Sequence, residues 1–526
     1  MRTVLFGVDG LTFRVLHPLI ERGDLPNFRM LQENGCEAIL ESKYPPVTPA
    51  AWTSISTGMK PASHGVYDFW EYEEESSGAA RKTRVQTHRK GSKAIWNILS
   101  EYNKRVLVIN VPITYPPEAV NGVMVSGYGT PSSAVDFTYP MNFKEELYRA
   151  VPDYMIDLNH EDMFSMKLTG KPDPLIDATL RMTERRIQLT LYLMKEKAWD
   201  FCYVAFVGSD RLQHPLWDDI ISLKTRATEY FRQLDYGLGL ILEQLDPEDN
   251  LFVVSDHGFQ GATHFFDINE YLYIKGLLKL NSGNKHRQAS RYTTVKQTLG
   301  QAGLLPVARR AKRLLKKTGA ICEYIGDVLQ PVLTDVDWEQ TKAFVPSMSG
   351  FLGGYADIFL DHDLGETTLV QLCDDLKSLR HPRTKQPLID AIYTTEVFGK
   401  GSYAPREPHL LLLPTDGITF RVSLGNTRLW DDANTTRGTH HKDGVLYAYG
   451  RGIKQGFNAP NAELYDIVPT ILHSMGLPFP VQFDGRVLDE LFVGDERVEK
   501  KALEKVNGTE SSLVKRKLKN LQEASF

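Results

Sequence analysis

The chain reads as an α/β protein with a mixed, mostly parallel central sheet, helices on both of its faces, and a basic helical insertion. Three observations predict this. Short apolar runs bounded by Gly and Ser, of the kind that form buried strands, fall at residues 3–8, 105–110, 201–207 and 250–254. Helical patterns at residues 26–34, 94–102, 177–197 and 224–245 lie between them, giving the β/α alternation of a sheet covered on both sides. Further strands are expected at 355–360, 409–413 and 445–449, and one segment between the two halves has no acidic residue at all.

Bulk properties exclude several classes. With 526 residues, 42% hydrophobic and 24% charged, the chain has the composition of an ordinary globular protein. A net charge of -5 leaves no overall nucleic-acid footprint. Met1, Arg2 and Thr3 run straight into the first strand, with no room for a signal peptide. No apolar stretch approaches the roughly 20 residues that span a bilayer, so a cytoplasmic location is expected. Cys36, Cys202, Cys322 and Cys373 form no CxxC pair, which argues against a thiolate zinc site or a disulfide framework. On that reading Cys202 is a small core residue, and the Asn507-Gly508-Thr509 sequon is a chance match.

The acid-free segment runs from Lys275 to Lys317 and gathers Arg309, Arg310, Lys312, Arg313, Lys316 and Lys317. Leu304, Val307, Ala308, Ala311, Leu314 and Leu315 fall at helical spacing opposite these charges. The pattern suits a helix lying on anionic membrane, or equally a surface helix packing its apolar face on the core. A charged tail over 495–526 sets Val514, Leu518 and Leu521 on one helical face, a docking or oligomerisation pattern. The expected organisation is a core of residues 1–274 and 336–494, a basic insertion at 275–335 and the tail.

Three strands end alike. Asp9 closes the first, Asp210 follows the third with His214 four residues on, and Asp256 and His257 close the fourth. Ligands gather at the carboxyl ends of strands in open α/β sheets, so carboxylates and imidazoles collected there point to bound metal. Asp210 and His214 share a face if a helix starts at Asp210, and Pro215 would limit that helix to one turn. For Asp256 and His257 to converge on one ion the chain must bend, and Gly258 would supply the freedom. Asp361 and His362 show the same ending, and spacing alone does not reject them. Thr48-Pro49 before Ala50, Ala51 and Trp52 reads as a helix N-cap with proline at the first position, a place that also favours a phosphate anion.

Read together, VLFGVDG (4–10), LPNFRMLQENG (25–35), YPPVTPAAWTSISTGMKPASHGVYDF (44–69), INVPITYPP (109–117), GSDRLQHPLW (208–217), VVSDHGF (253–259), RGTHHKDGVLYAYG (437–450) and AELYDIVPTILHSMGLP (462–478) resemble the alkaline phosphatase superfamily. Within it they resemble the type I phosphodiesterase and nucleotide pyrophosphatase group, and most closely its proteins described as phosphohydrolases or phosphomutases. The resemblance implies an alkaline-phosphatase-like fold and two divalent metal ions. Asp9, Thr48, Asp256 and His257 would hold one ion, and Asp210, His214 and His440 the other. It takes His440 rather than His441 because the family pattern is Gly-x-His, and it gives Asp361 and His362 no part. Zn²⁺ is favoured by mixed His and Asp ligation, with Mn²⁺ its competitor.

The resemblance further implies a metal-activated Thr48 that attacks phosphorus and becomes a phosphothreonine, which water then hydrolyses with overall retention. His64 is expected to organise its loop, and Tyr115 to line a substrate pocket or make a structural hydrogen bond. Ala50 and Ala51 stand where nucleotide pyrophosphatases carry an asparagine, and no arginine matches the one that grips a monoester, so a diester is the expected substrate. Competing readings are a phosphomutase or phosphotransferase, and a non-catalytic metal-binding protein of the same fold. A lipid-linked phosphate fits if the basic segment meets membrane.

Overall fold

In this computed structural model the described residues are 1–43, 45–74, 80–84, 92–131, 133–159, 170–223, 225–281, 336–345, 354–361, 364–394, 398–403, 408–422, 424, 429–478 and 482–494. The basic helix expected over 304–317, the tail over 495–526, His362, Cys322 and the sequon lie outside them. None of the described helices is long and apolar enough to cross a membrane.

Ten strands form the central sheet. In chain order they are β1 (Thr3–Val8), β2 (Cys36–Glu41), β3 (Val106–Ile109), β4 (Gly122–Val125), β5 (Thr138–Tyr139), β6 (Phe201–Phe206), β7 (Asn250–Val254), then β10 (Asp443–Gly450), β11 (Phe457–Asn458) and β12 (Ala462–Glu463). Between β7 and β10 the chain also forms β8 (Gly258–Asp267) and β9 (Trp430–His441), which belong to a smaller sheet. Spatially the central order is β11-β2-β10-β7-β1-β6-β3-β4-β5, with β12 also on β2. Neighbours run parallel except where β10 and β5 pair antiparallel with theirs. The sheet is therefore mixed and mostly parallel, as expected.

β1 shows why its residues make a central strand. Each residue of β1 is buried. Val4, Phe6 and Val8 face one apolar cluster with Leu189, Leu193, Ile220, Leu234 and Leu238, whereas Leu5 faces another with Trp52, Ile55, Trp96, Leu99 and Ile471. Alternating side chains thus bury both faces under helices. Cys202 lies in the first cluster, and burial pushes its thiol up to about 12, as suits an inert core residue.

The expected strands at 355–360 and 409–413 take a different place. Ala356–Leu360 and Leu410–Pro414 pair antiparallel in a separate four-stranded sheet over its own apolar cluster, and only β10 rejoins the central sheet. Just before that unit, Leu280 and Val336 pair across an antiparallel bridge, so the chain on either side of residues 282–335 meets.

One long-range cap anchors the first crossover. The helix Pro26–Asn34 has no side-chain cap of its own. The buried carboxylate of Asp235 instead accepts from the backbone N–H groups of Asn27 and Phe28, at 3.0 and 2.9 Å, and from the Asn27 side chain at 2.9 Å. These are N–H groups that a helix start leaves without internal partners. Asp235→Ala is expected to lower unfolding free energy by about 1–3 kcal/mol, read from urea denaturation, because it strands buried donors.

Candidate metal centre

β6, β1 and β7 are adjacent and parallel, so their carboxyl ends lie side by side. Asp9, Asp210, Asp256 and His257 all follow those ends and all are buried. His440 arrives from β9, where it pairs with Phe259 of β8. Ligand atoms of Asp9, Asp256 and His257 lie within 4.8 Å of one another, and so do those of Asp210, His257 and His440. His214 completes the second group, its Nε2 3.2 Å from Asp210 Oδ1 and 3.2 Å from His440 Nε2.

Helix geometry brings Asp210 and His214 together on a helix that starts at Gly208. It breaks at Leu216, φ -122 and ψ 26, directly after Pro215, and a second helical stretch runs on to Ile221, so the segment that carries both residues has about two turns rather than one. The role expected of Gly258 also changes. Its φ is unexceptional, but a Cβ there would overlap the Asp443 carbonyl, so the need is for close approach between strands. Gly438 is constrained in the same way by the carbonyl of Gln213 on the metal-ligand helix.

The ring nitrogens settle which atoms face inward. Nδ1 of His214 lies 3.0 Å from the Gly438 carbonyl, that of His257 3.0 Å from the Gly258 carbonyl, and that of His440 2.8 Å from the Pro46 carbonyl. A carbonyl only accepts, so each Nδ1 donates its hydrogen, and the neutral ring keeps its lone pair on Nε2. Those Nε2 atoms converge with the carboxylates.

Electrostatics make the same demand. Asp9 Oδ1, Asp210 Oδ1, Asp256 Oδ2 and His257 Nε2 are buried with no hydrogen-bond partner. Burial, reinforced by neighbouring carboxylates, pushes Asp9 and Asp256 well above the ordinary carboxylate range. For Asp210 burial acts in the same sense, but His214, His440 and Arg211 outweigh it and hold the group well below that range. Burial also lowers His257 and His440, which favours neutral rings. Orphaned oxygens and lone pairs around common points fit divalent cations. Asp9, Asp256 and His257 could hold one ion, and Asp210, His214 and His440 another.

Thr48 is buried in a segment tied to both groups. It is 4% exposed and opens the helix Thr48–Thr57. Val47 rather than Thr48 is the N-cap, Pro49 is the second helical residue, and no side chain caps the helix start. The capping role expected of Thr48 is thus one residue out. Pro46, two residues before it, carries the carbonyl that accepts from His440, and Trp52, one turn after it on the same face, donates its indole N–H to Asp9 Oδ2 at 3.2 Å. Each flank of Thr48 therefore bonds to a residue of a different group.

Other expected residues have different places. Nδ1 of His64 accepts from the Val66 N–H at 3.1 Å, and its Nε2 lies 3.0 Å from Ser54 Oγ, so it ties its loop to the Thr48 helix. Tyr115 donates its hydroxyl to Asp136 at 2.9 Å, the structural bond anticipated for it. His441 lies on the strand face opposite His440, with its Nε2 3.2 Å from Asp416 Oδ1. Asp361 follows a strand of the four-stranded sheet, away from the ends of β1, β6 and β7.

His264, His381 and Asp432 also cluster like ligands. Yet Nδ1 of His381 accepts from the Thr384 N–H at 3.1 Å, so its Nε2 carries hydrogen and donates to Asp432 Oδ1 at 3.2 Å, while Arg383 donates to Oδ2. This cluster is a hydrogen-bonded clasp. Residues that sequence reasoning passed over are Trp52, Gln213, whose amide donates to the Gly10 carbonyl at 2.7 Å, and Arg211. Arg211 did leave a signal, a cation placed directly after a buried ligand in GSDRLQHPLW.

Fold and site together define a metal-dependent phosphoric ester hydrolase built on an alkaline-phosphatase-like fold. The profile of the family described as Type I phosphodiesterase / nucleotide pyrophosphatase matches residues 3–321, and the chain belongs to that family. None of the curated proteins matches it in sequence. Phosphonoacetate hydrolase from Sinorhizobium meliloti 1021, in complex with phosphonoacetate, shares the fold with a TM-score of 0.56 and 13% identity, over 90% of this chain and 95% of that one. Human ectonucleotide pyrophosphatase / phosphodiesterase 5 does so with a TM-score of 0.50 and 11% identity, over 94% of this chain and 100% of that one.

His440→Ala is expected to lower metal affinity by more than about 100-fold, whereas His441→Ala leaves it close to wild type, read by titration of the metal-free protein. Gly438→Ala is expected to cost about 1–3 kcal/mol of stability by denaturant melt, since backbone must move to admit the methyl group.

Proposed function

We propose that the chain is a two-metal phosphodiesterase that works through a phosphothreonine at Thr48. The observation that supports this reading is the pair of bonds flanking Thr48, Pro46 to His440 and Trp52 to Asp9, which tie the chain on either side of it to both ligand groups. Asp9, Thr48, Asp256 and His257 would hold one ion, and Asp210, His214 and His440 the other. Bound divalent cations would favour the Thr48 alkoxide and offset charge building on phosphorus.

The remaining duties fall to the chain itself. Trp52 fixes the Asp9 carboxylate through Oδ2, and the Gly10 N–H donates to Asp256 Oδ1 at 3.0 Å, so each presents its other oxygen inward. All ten residues of the Thr48 helix are buried, which keeps water from the flank of the nucleophile. The partial positive charge at that helix start favours a phosphoryl group beside Thr48. Attack by Thr48 expels the first alcohol and leaves a phosphothreonine still esterified to the second, and water then breaks the bond to Thr48 and releases a phosphate monoester, so two displacements retain configuration at phosphorus.

A diester is the favoured substrate on charge. Two dications facing Asp9, Asp210, Asp256 and the Thr48 alkoxide leave no net charge, so a diester monoanion brings one uncompensated charge into the site and a monoester dianion two. Nearby cationic side chains are already paired, Arg211 with Asp157 and Asp210, and Lys442 with Asp390. Mixed imidazole and carboxylate donors favour Zn²⁺, with Mn²⁺ as competitor.

Wild-type protein loaded with Zn²⁺ or Mn²⁺ is expected to turn over a bis-aryl phosphate diester faster than the aryl monoester. Thr48→Ala should lose about 10³-fold or more in turnover, and the wild type alone, quenched during diester turnover, should show by mass spectrometry a Thr48 adduct that still carries the second aryl ester on its phosphoryl group. Undiminished turnover by Thr48→Ala would exclude the nucleophile. Transfer to an added alcohol in preference to water would make the protein a phosphotransferase.

A further inference from the structure

Arg211 directly follows Asp210, yet neither the fold nor the proposed reaction assigns its guanidinium a task. Nε and Nη2 donate to the two oxygens of Asp157, at 3.4 and 2.9 Å, while Nη1 donates to Asp210 Oδ2 at 2.9 Å. The side chains of Arg211 and Asp157 are 11% and 17% exposed, and the guanidinium lies 4.3 Å from the centroid of the Tyr128 ring. A guanidinium fork pairs directionally with carboxylates, so this contact fixes orientation as well as charge.

Asp157 is itself anchored. The carbonyl of the preceding Ile156 accepts from Nη2 of Arg186 at 2.6 Å. Arg186 is wholly buried in the helix Asp173–Glu196, and its Nη1 donates to the carbonyl of Ala205 at 2.8 Å. Ala205 belongs to β6, the strand that leads into the helix of Asp210. The contacts therefore close a ring that leaves β6 through Arg186 and returns to its end through Asp157, Arg211 and Asp210.

That ring decides what Asp210 offers. With Oδ2 engaged by Arg211, Oδ1 remains, 3.2 Å from His214 Nε2 and 3.3 Å from His440 Nε2, and it has no hydrogen-bond partner. A carboxylate without that tether would turn and offer both oxygens. We propose that Asp157 and Arg211 are positioning residues, which hold Asp210 as a single-oxygen ligand for the ion it shares with His214 and His440. The inference rests on the two-metal reading. It bears mainly on one site, because the hydrogen bond of Arg211 in this centre goes to Asp210, whereas Arg211 and Asp157 act on Asp9 through charge alone and in opposite senses. Lysine would keep the charge but could not bridge two carboxylates in one plane.

The test is calorimetric titration of metal-free full-length protein with Zn²⁺, for wild type, Arg211→Lys and Asp157→Asn, each shown to be folded by circular dichroism. Wild type is expected to bind two ions. In each variant one binding step weakens by about 10–100-fold while the other keeps its wild-type affinity. Arg211→Lys with Asp157→Asn together should weaken that step no further than Arg211→Lys alone, since both act through Asp210. If both steps weaken alike, or neither changes, Arg211 and Asp157 form only a structural ion pair and the proposal is overturned. A wild-type protein that takes up a single ion overturns the two-metal reading and the proposal with it.

Discussion

Three carboxylates buried side by side are the constraint that the rest of this structure serves. Two unit charges about 5 Å apart repel by roughly 3 kcal/mol even at the effective dielectric of a protein surface, and desolvation adds to that cost. Asp9, Asp210 and Asp256 nevertheless share one site, at most 4% exposed. The strand order β7-β1-β6 leaves no alternative, since parallel neighbours end at the same level. Every imidazole there gives its hydrogen to a main-chain carbonyl and turns a lone pair toward the acids. Without cations burial drives Asp9 and Asp256 toward their protonated forms, and inward-facing lone pairs beside them suit divalent ions in place of those protons.

The smaller sheet matters through a single strand. β9 brings His440 across from outside the parallel order, and it approaches closely enough only because Gly438 and Gly258 present no side chain to the carbonyls beside them. The same histidine then reaches back to the residue two before Thr48. The segment of Thr48, the candidate ligands and the inserted unit thus share a few hydrogen bonds. A shift of the smaller sheet would be felt at Thr48 without any change in the central sheet.

β1, β3, β6 and β7 were legible as almost unbroken apolar runs, and Asp9, Asp210 and Asp256 stood out as the places where that pattern ends, whereas β2, interrupted by Glu37 and Glu41, and the short β4 were passed over. Sequence could not say which strands are neighbours, so the endings at Asp256 and Asp361 looked equal until pairing put Ala356–Leu360 in a different sheet. His440 over His441 followed from resemblance, and strand alternation supplies the physical reason. Pro215 was legible as a limit, since the helix breaks at Leu216 directly after it, but the start at Gly208 was not, so the segment is longer than the single turn expected. Arg211 was unreadable in role, because its partner Asp157 lies far away in sequence and only the folded chain joins them.

The bridge between Leu280 and Val336 has an evolutionary meaning. Two chain ends held together by the scaffold make the span between them a closed excursion, and lengthening such an excursion adds only logarithmically to its entropic cost. A change in length between residues 282 and 335 therefore costs the fold little, while Asp9, Thr48 and His440 are placed by strands and helices outside that span. New surroundings for an old reaction can be acquired there without renegotiating the chemistry.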